Sequence, residues 1–198
     1  MSIDPQWISA VASGLGCGTL LLVAWQVKTN KWQVKIDLER GRREKAIDLI
    51  KEVEESREQG KFKYIKLMFA LNPDEVKLVY KEKPIPIRTS LAKQFLPECV
   101  SDEKADYVSL ESECVVKIRS AMMGMLNTVE RIALAYKYSV ADQEMLNVTF
   151  KNFFIENKFL ENCITLIEKI GENGWPVVKE LPPLMEQRSR LRRILTTH

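Results

Sequence analysis

Hydrophobic residues recur at alternating intervals of three and four in the second half of the chain. This spacing places them on one face of an α-helix, and it holds over residues 105–138 and again over residues 141–170. Because only a few residues separate the two segments, the pattern predicts an antiparallel helical hairpin. Ser139 is a candidate cap for its second helix. The stripe of the first helix consists of Val115, Ile118, Met122, Met125, Val129, Ile132 and Tyr136.

Shorter elements precede this hairpin. Residues 28–60 are polar but rich in good helix formers, which predicts a charged helical stalk. A short helix should follow over 61–71, and Asn72 is placed to cap the next element, which is short enough to be a helix or a strand. Residues 84–100 contain three prolines and are expected to form an irregular connector. Gly171 follows the last periodic position and is expected to end the final hairpin helix.

The first third of the chain contains an uncharged run of 21 residues, from Trp7 to Val27. As a helix rising 1.5 Å per residue it would extend roughly 31 Å, and a bilayer core is about 30 Å thick. Lys and Arg are absent before the run, although a signal peptide needs them there. We therefore predict a retained transmembrane helix rather than a cleaved signal peptide or a buried core helix. The predicted organisation is an N-terminal segment and span over 1–27, a stalk over 28–60 and a helical domain over 61–198.

The charges on either side of the run indicate its orientation. Asp4 is the one charged side chain before it, whereas residues 28–45 hold seven Lys or Arg against three Asp or Glu, an excess of four positive charges. Basic flanks stay in the cytoplasm, so we expect a single-pass bacterial inner-membrane protein with its N-terminus outside and its C-terminal domain cytoplasmic. The basic cluster is expected to bind anionic lipid headgroups, with nucleic acid as the disfavoured alternative partner. The candidate headgroup contacts are Lys28, Lys31, Lys35, Arg40, Arg42 and Arg43.

Small residues recur every four positions within the predicted span. Ala10, Gly14 and Gly18 form this stripe, and the two glycines make a GxxxG motif. Small side chains allow helix backbones to approach closely in lipid, where no hydrophobic force drives helices together. The stripe predicts self-association of the span and hence a homo-oligomer.

Catalytic and metal-binding residue types are sparse. The sole His is His198, which excludes a Ser-His-Asp triad and sites with two or more histidines. No two of the four cysteines lie within ten residues of each other, so a local zinc site is also excluded, and we expect neither a metal nor a cofactor. The spacing of Arg193 and His198 resembles that of HEPN-type helical ribonucleases, but a terminal His is poorly placed for catalysis. A cytosolic domain would keep its thiols reduced, and Cys114 and Cys163 are expected to act as small buried apolar residues.

The block Leu-Asn-Thr-Val-Glu-Arg-Ile-Ala at residues 126–133 resembles the signature of an uncharacterised bacterial domain family. Members of that family, a domain of unknown function, are small helical proteins with an N-terminal hydrophobic anchor and a charged helix. Some proteins of this kind resemble membrane effectors of antiviral defence against phages. The resemblance therefore implies a membrane-anchored helical protein, and it implies no enzymatic activity or cofactor.

Two polar residues of this block share one helix face. Asn127 and Glu130 are three residues apart and border the apolar stripe, so they need polar partners, for which Arg131 or Arg119 is a candidate. We interpret them as a polar clasp that fixes helix register, and a ligand or catalytic site is the alternative.

These features together predict an all-α protein with a single transmembrane helix, a charged stalk and a cytosolic antiparallel helical bundle. The expected role is that of a non-enzymatic, oligomerising membrane effector or regulator. Two alternatives remain: a passive scaffold that tethers an unidentified cytosolic protein partner to the membrane, and a membrane-anchored HEPN-like ribonuclease.

Overall fold

The computed structural model describes two compact units, Met1–Arg42 and Arg43–His198. Helix α1 spans Pro5–Glu58 and contributes to both. The described residues are 5–100, 105–151, 158–171 and 174–186, and in the first part of α1 side chains are described at Thr19 and from Leu22 onward.

The first unit consists of the N-terminal part of α1. Large apolar side chains are exposed along it from Leu22 to Leu38. Within the part of the chain that the structure describes, no helix combines the length and apolar character that a membrane crossing requires. Much of the predicted span over 7–27 lies outside the described side chains. That portion includes the small-residue stripe of Ala10, Gly14 and Gly18.

The second unit is mostly helical, consistent with the predicted all-α class, and its described residues also include a two-stranded antiparallel sheet. Among the described residues, a first 3-10 turn lies at Pro97–Cys99 and a second at Val178–Glu180, and residues 181–186 are helical. Besides the end of α1, the elements are α2 (Lys61–Ala70), α3 (Pro73–Tyr80), β1 (Ile85–Arg88), α4 (Thr89–Phe95), β2 (Tyr107–Leu110), α5 (Ser112–Lys137), α6 (Gln143–Phe150) and α7 (Phe159–Ile170).

Helix α5 forms the centre of this unit. Its predicted apolar stripe is confirmed, because all seven positions from Val115 to Tyr136 are buried. Helices α2 and α3 pack against α5, and α7 packs against α3. Most of the periodic positions of α6 and α7 that the structure describes are also buried, among them Leu146, Leu160 and Ile167, whereas Ile164 is half-buried. The hydrophobic pattern therefore identified the core of the domain correctly.

The predicted hairpin differs from the structure in where its helices begin and in the continuity of the second helix. Strand β2 occupies the start of the predicted first helix, so α5 begins at Ser112. The predicted second helix is divided into α6 and α7, and Lys158 has a positive φ of 53° directly before α7. The predicted cap at Ser139 is wrong. Asp142 instead accepts hydrogen bonds from the first backbone N–H groups of α6.

The segment expected to be an irregular connector is ordered. It contains β1, α4 and the first 3-10 turn. Strand β1 pairs with β2 so that Ile85 lies opposite Leu110 and Ile87 lies opposite Val108. These four side chains face the core, because alternate positions of a strand point to the same side of a sheet.

The last part of α1 belongs to the helical domain. Ala46, Leu49 and Val53 are buried in the same core as α5, so the C-terminal half of the predicted stalk packs within the second unit. Two predicted helix boundaries are confirmed. Asn72 and Glu75 form a reciprocal capping box at the start of α3. Gly171 ends α7 with a φ of 78°.

Candidate functional site

Helix α5 presents the block of residues 126–133 to two different neighbours. Asn127 and Glu130 face the segment that follows α7. The Trp175 indole Nε1–H donates to Asn127 Oδ1 over 2.9 Å, and the indole ring is buried. The Glu130 carboxylate accepts the backbone N–H groups of Val177, at 3.3 Å, and Val178, at 3.0 Å.

These bonds form a polar clasp between α5 and the second 3-10 turn. Glu130 is half-buried and satisfies two backbone donors at the start of that turn, where a carboxylate is favoured. Farther along, Lys137 Nζ lies 2.6 Å from Glu180 Oε2, and this hydrogen bond raises the pKa of Lys137. The structure thus places Asn127 and Glu130 in contacts that fix the position of the chain after α7.

Arg131 and Thr128 point to α1 instead. Arg131 Nη1 lies 2.7 Å from the Glu52 carboxylate, which also lies 2.8 Å from the Thr128 hydroxyl. The two arginines named as candidate partners for Asn127 and Glu130 therefore make other contacts. Arg119 donates to Glu82 and to the carbonyl oxygen of Tyr80 at the end of α3.

An open cleft of about 190 Å³ lies beside the Glu52 contacts. The cleft lies between the C-terminal part of α1 and the middle of α5. Gly124 of α5 faces open space, because a Cβ added to this residue would meet no atom within 4 Å. Its walls carry the carboxylates of Glu52 and Glu55 together with the Lys61 ammonium. Beside this cleft, the network between Glu52, Thr128 and Arg131 links α5 to the C-terminal part of α1.

The first unit presents a second candidate surface. Lys28, Lys31, Lys35 and Arg42 are exposed and fall at helical spacing on one face of α1. Exposed apolar side chains flank this basic row on both sides. One flank contains Trp25, Trp32 and Ile36, and the other contains Val27, Val34 and Leu38.

Two other predicted headgroup contacts lie elsewhere. Arg40 is exposed on a different face of α1. Arg43 belongs to the second unit, where its Nε lies 3.6 Å from Asp142 Oδ2, so this residue pairs within the helical domain.

The cysteines of the domain have different environments. Cys163 is fully buried as predicted, and burial raises the pKa of its thiol. Cys99 and Cys114 are joined by a disulfide between the first 3-10 turn and the first turn of α5. This bond corrects the expectation that Cys114 is a free, buried apolar residue in a domain whose thiols are all reduced.

No group of three or more His, Cys, Asp or Glu side chains in the described ranges could hold a metal ion. Arg193 and His198 lie outside the residues that the structure describes. No protein-family model, curated protein or solved structure matches this chain.

The sequence pattern identified the polar residues of the block at 126–133 but did not identify the residues that they contact. Trp175 lies 48 residues after Asn127, and Glu52 lies 79 residues before Arg131. A local pattern carries no information about such distant contacts. One signal was available, because the Gly-Trp-Pro sequence at 174–176 indicated a turn containing a large side chain that needs a partner for its N–H.

Proposed function

We propose that this chain is a single-pass membrane protein that acts as an oligomerising effector or regulator. Residues 7–27 would insert into the bilayer, and the helical domain would lie in the cytoplasm of a bacterial cell. The observation that carries the proposal is the surface of α1, where a basic row lies between two rows of exposed apolar side chains. Such exposed apolar surface is typical of contact with a membrane or another protein.

The arrangement of α1 suits the boundary of a bilayer. The uncharged run ends at Val27 and the basic row begins at Lys28, so the row would lie at the level of the headgroups. Trp25 and Trp32 are 66% and 64% exposed, and indole side chains prefer this interface. Each well-placed cation adds about 1 kcal/mol of attraction to an anionic leaflet. The same basic row supports the cytoplasmic location of the domain.

The effector role rests on the small-residue stripe of Ala10, Gly14 and Gly18. Close approach at these positions would bring spans of several copies together. On this mechanism a cytoplasmic signal changes association of the domains, and clustered spans then perturb the bilayer. The resemblance of residues 126–133 to the anchored bacterial family supports placing this activity in defence against phages.

Paired substitution in the span tests this role. Gly14→Ile with Gly18→Ile should block helix approach while preserving insertion, because Ile is favoured in the bilayer core. Leu15→Ile with Leu22→Ile is the matched control, since it adds the same side chains and leaves the small residues intact. The measurements are chemical crosslinking in membranes and cell growth or phage plating with the same variants.

The proposal expects the glycine variant to remain in the membrane and to lose both crosslinking and activity, while the control retains both. Activity that persists without crosslinking would instead favour a scaffold, because tethering a partner requires insertion alone. Crosslinking that persists in the glycine variant would contradict the assignment of self-association to this stripe.

A further inference from the structure

Cys99 and Cys114 are the one cysteine pair in contact among the described residues. Cys99 ends the first 3-10 turn, and Cys114 lies in the first turn of α5, with a sequence separation of 15 residues. The bond therefore closes a loop that includes β2 and ties the start of the central helix to the segment after α4.

Both cysteines are half-buried, so a small thiol in solution can reach them. A recess of about 230 Å³ lies beside the pair and is lined by Glu98, Val100, Ser109 and Glu111 in addition to the two cysteines. Cys163 differs from this pair in its burial and in the reactivity of its thiol. It is fully buried, and its thiol is held protonated by that burial, which makes it unreactive toward disulfides.

Noncovalent contacts keep Cys99 and Cys114 near each other independently of the disulfide. Lys63 Nζ of α2 donates to Glu98 Oε1 over 2.6 Å, next to Cys99. Val100 and Cys99 also pack against the domain core, as does Cys114. The two thiols should therefore stay close after reduction, which favours reversible closure over permanent separation.

We propose that Cys99 and Cys114 form a reversible redox site that exchanges with low-molecular-weight disulfides such as oxidised glutathione. One cysteine thiolate attacks the glutathione disulfide, forms a mixed disulfide and releases the first glutathione thiolate. The other cysteine thiolate attacks the mixed disulfide, forms the protein disulfide and releases the second. Two protein thiols are oxidised, one glutathione disulfide is reduced, and the two thiol protons end on the released glutathione molecules. This inference does not depend on the proposed membrane effector role.

The test uses the full-length protein purified in detergent and equilibrated in glutathione buffers. One buffer contains oxidised glutathione, and the other contains a large excess of reduced glutathione. Free thiols are then blocked with a maleimide, and tryptic peptides are analysed by mass spectrometry. Lys104 places Cys99 and Cys114 on different tryptic peptides, so the crosslink is identified directly.

The expected result is a crosslinked peptide pair in oxidised glutathione and two alkylated peptides in reduced glutathione. Cys163 should remain unlabelled in both buffers until the protein is unfolded. The oxidised form should also melt roughly 5–10 °C higher than the reduced form, because the crosslink constrains the unfolded chain. This difference should vanish in Cys99→Ser.

Four results would overturn the proposal. A crosslink that survives excess reduced glutathione in the folded protein would identify a permanent structural disulfide. Separate glutathione adducts on the two cysteines, or two free thiols in oxidised glutathione, would show that the cysteines do not act as a pair. Equal melting temperatures for the oxidised and reduced forms would show that the bond does not constrain the domain.

Discussion

Asn127 shows how an exposed residue can stabilise a buried one. Its side chain lies at the surface, but the indole N–H that it accepts belongs to the buried Trp175 ring. Water can replace a lost partner for an exposed amide much more easily than for a buried donor. The stability that this bond provides therefore depends mainly on the need of Trp175 for an acceptor.

We predict that Asn127→Ala lowers the free energy of unfolding by roughly 1–3 kcal/mol, because it leaves the buried Trp175 N–H without an acceptor. Asn162→Ala is the matched control, since Asn162 is an exposed residue within α7. Denaturant unfolding monitored by tryptophan fluorescence measures both variants. Equal stability of the two variants would contradict the polar clasp.

The ion pair beside the redox site makes a prediction about pH. The hydrogen bond from Lys63 is the main cause that lowers the pKa of Glu98 below its usual value of 4.5. The pKa of Glu98 is therefore lower in the folded state than in the unfolded state. The ionised carboxylate stabilises the folded protein fully above the usual pKa, and this contribution is lost as pH falls through the lowered pKa. Lys63→Met should therefore raise the pKa of Glu98 in an NMR titration. Lys66→Met, on the exposed side of α2, should leave it unchanged.

At the scale of elements, periodicity identified α5 because one face of this helix meets the core along its whole length. All its apolar positions are consequently informative. Strands β1 and β2 have four residues each, so alternation between buried and exposed positions repeats only twice and gives little signal. The division between α6 and α7 was also missed, because apolar spacing continues across it whereas Lys158 adopts a left-handed backbone conformation.

The contacts of the candidate site required the tertiary structure. Periodicity placed Asn127 and Glu130 on one helix face, but it could not show that the segment after α7 folds back onto them. It also could not show that Glu52 reaches Arg131 from α1. Local spacing determines which residues share a face, and the packing of distant segments determines their partners.

Substitution on the buried face of α5 tests the packing of this element. Val129→Asp should destabilise the domain by about 3–5 kcal/mol, since it places an unpaired charge at a fully buried position. Val116→Asp is the matched control on the same helix, where the side chain is 45% exposed. Thermal unfolding of the full-length variants should show a large decrease in melting temperature for the first and little change for the second. A similar decrease in both would mean that the buried face is wrongly assigned.

At the scale of the whole molecule, the two units differ in what their surfaces leave exposed. The helical domain buries a continuous core, including the last part of α1. The N-terminal part of α1 leaves Leu22, Trp25, Trp32 and other large apolar side chains exposed beside its lysines. An isolated helix with this surface has little to stabilise it in water, and a bilayer with its headgroups would cover both kinds of side chain. We therefore propose that residues 7–27 insert into a membrane and that the helical domain is cytoplasmic.

Site-resolved thiol labelling in bacterial spheroplasts tests that claim most directly. Ser2→Cys and His198→Cys introduce thiols near the two ends, and a membrane-impermeant maleimide is applied before and after permeabilisation. Peptide mass spectrometry distinguishes these thiols from the native cysteines. We predict that the thiol near the N-terminus is labelled in intact spheroplasts and that the C-terminal thiol is labelled only after permeabilisation. Labelling of the C-terminal thiol in intact spheroplasts, or of neither thiol until permeabilisation, would contradict it.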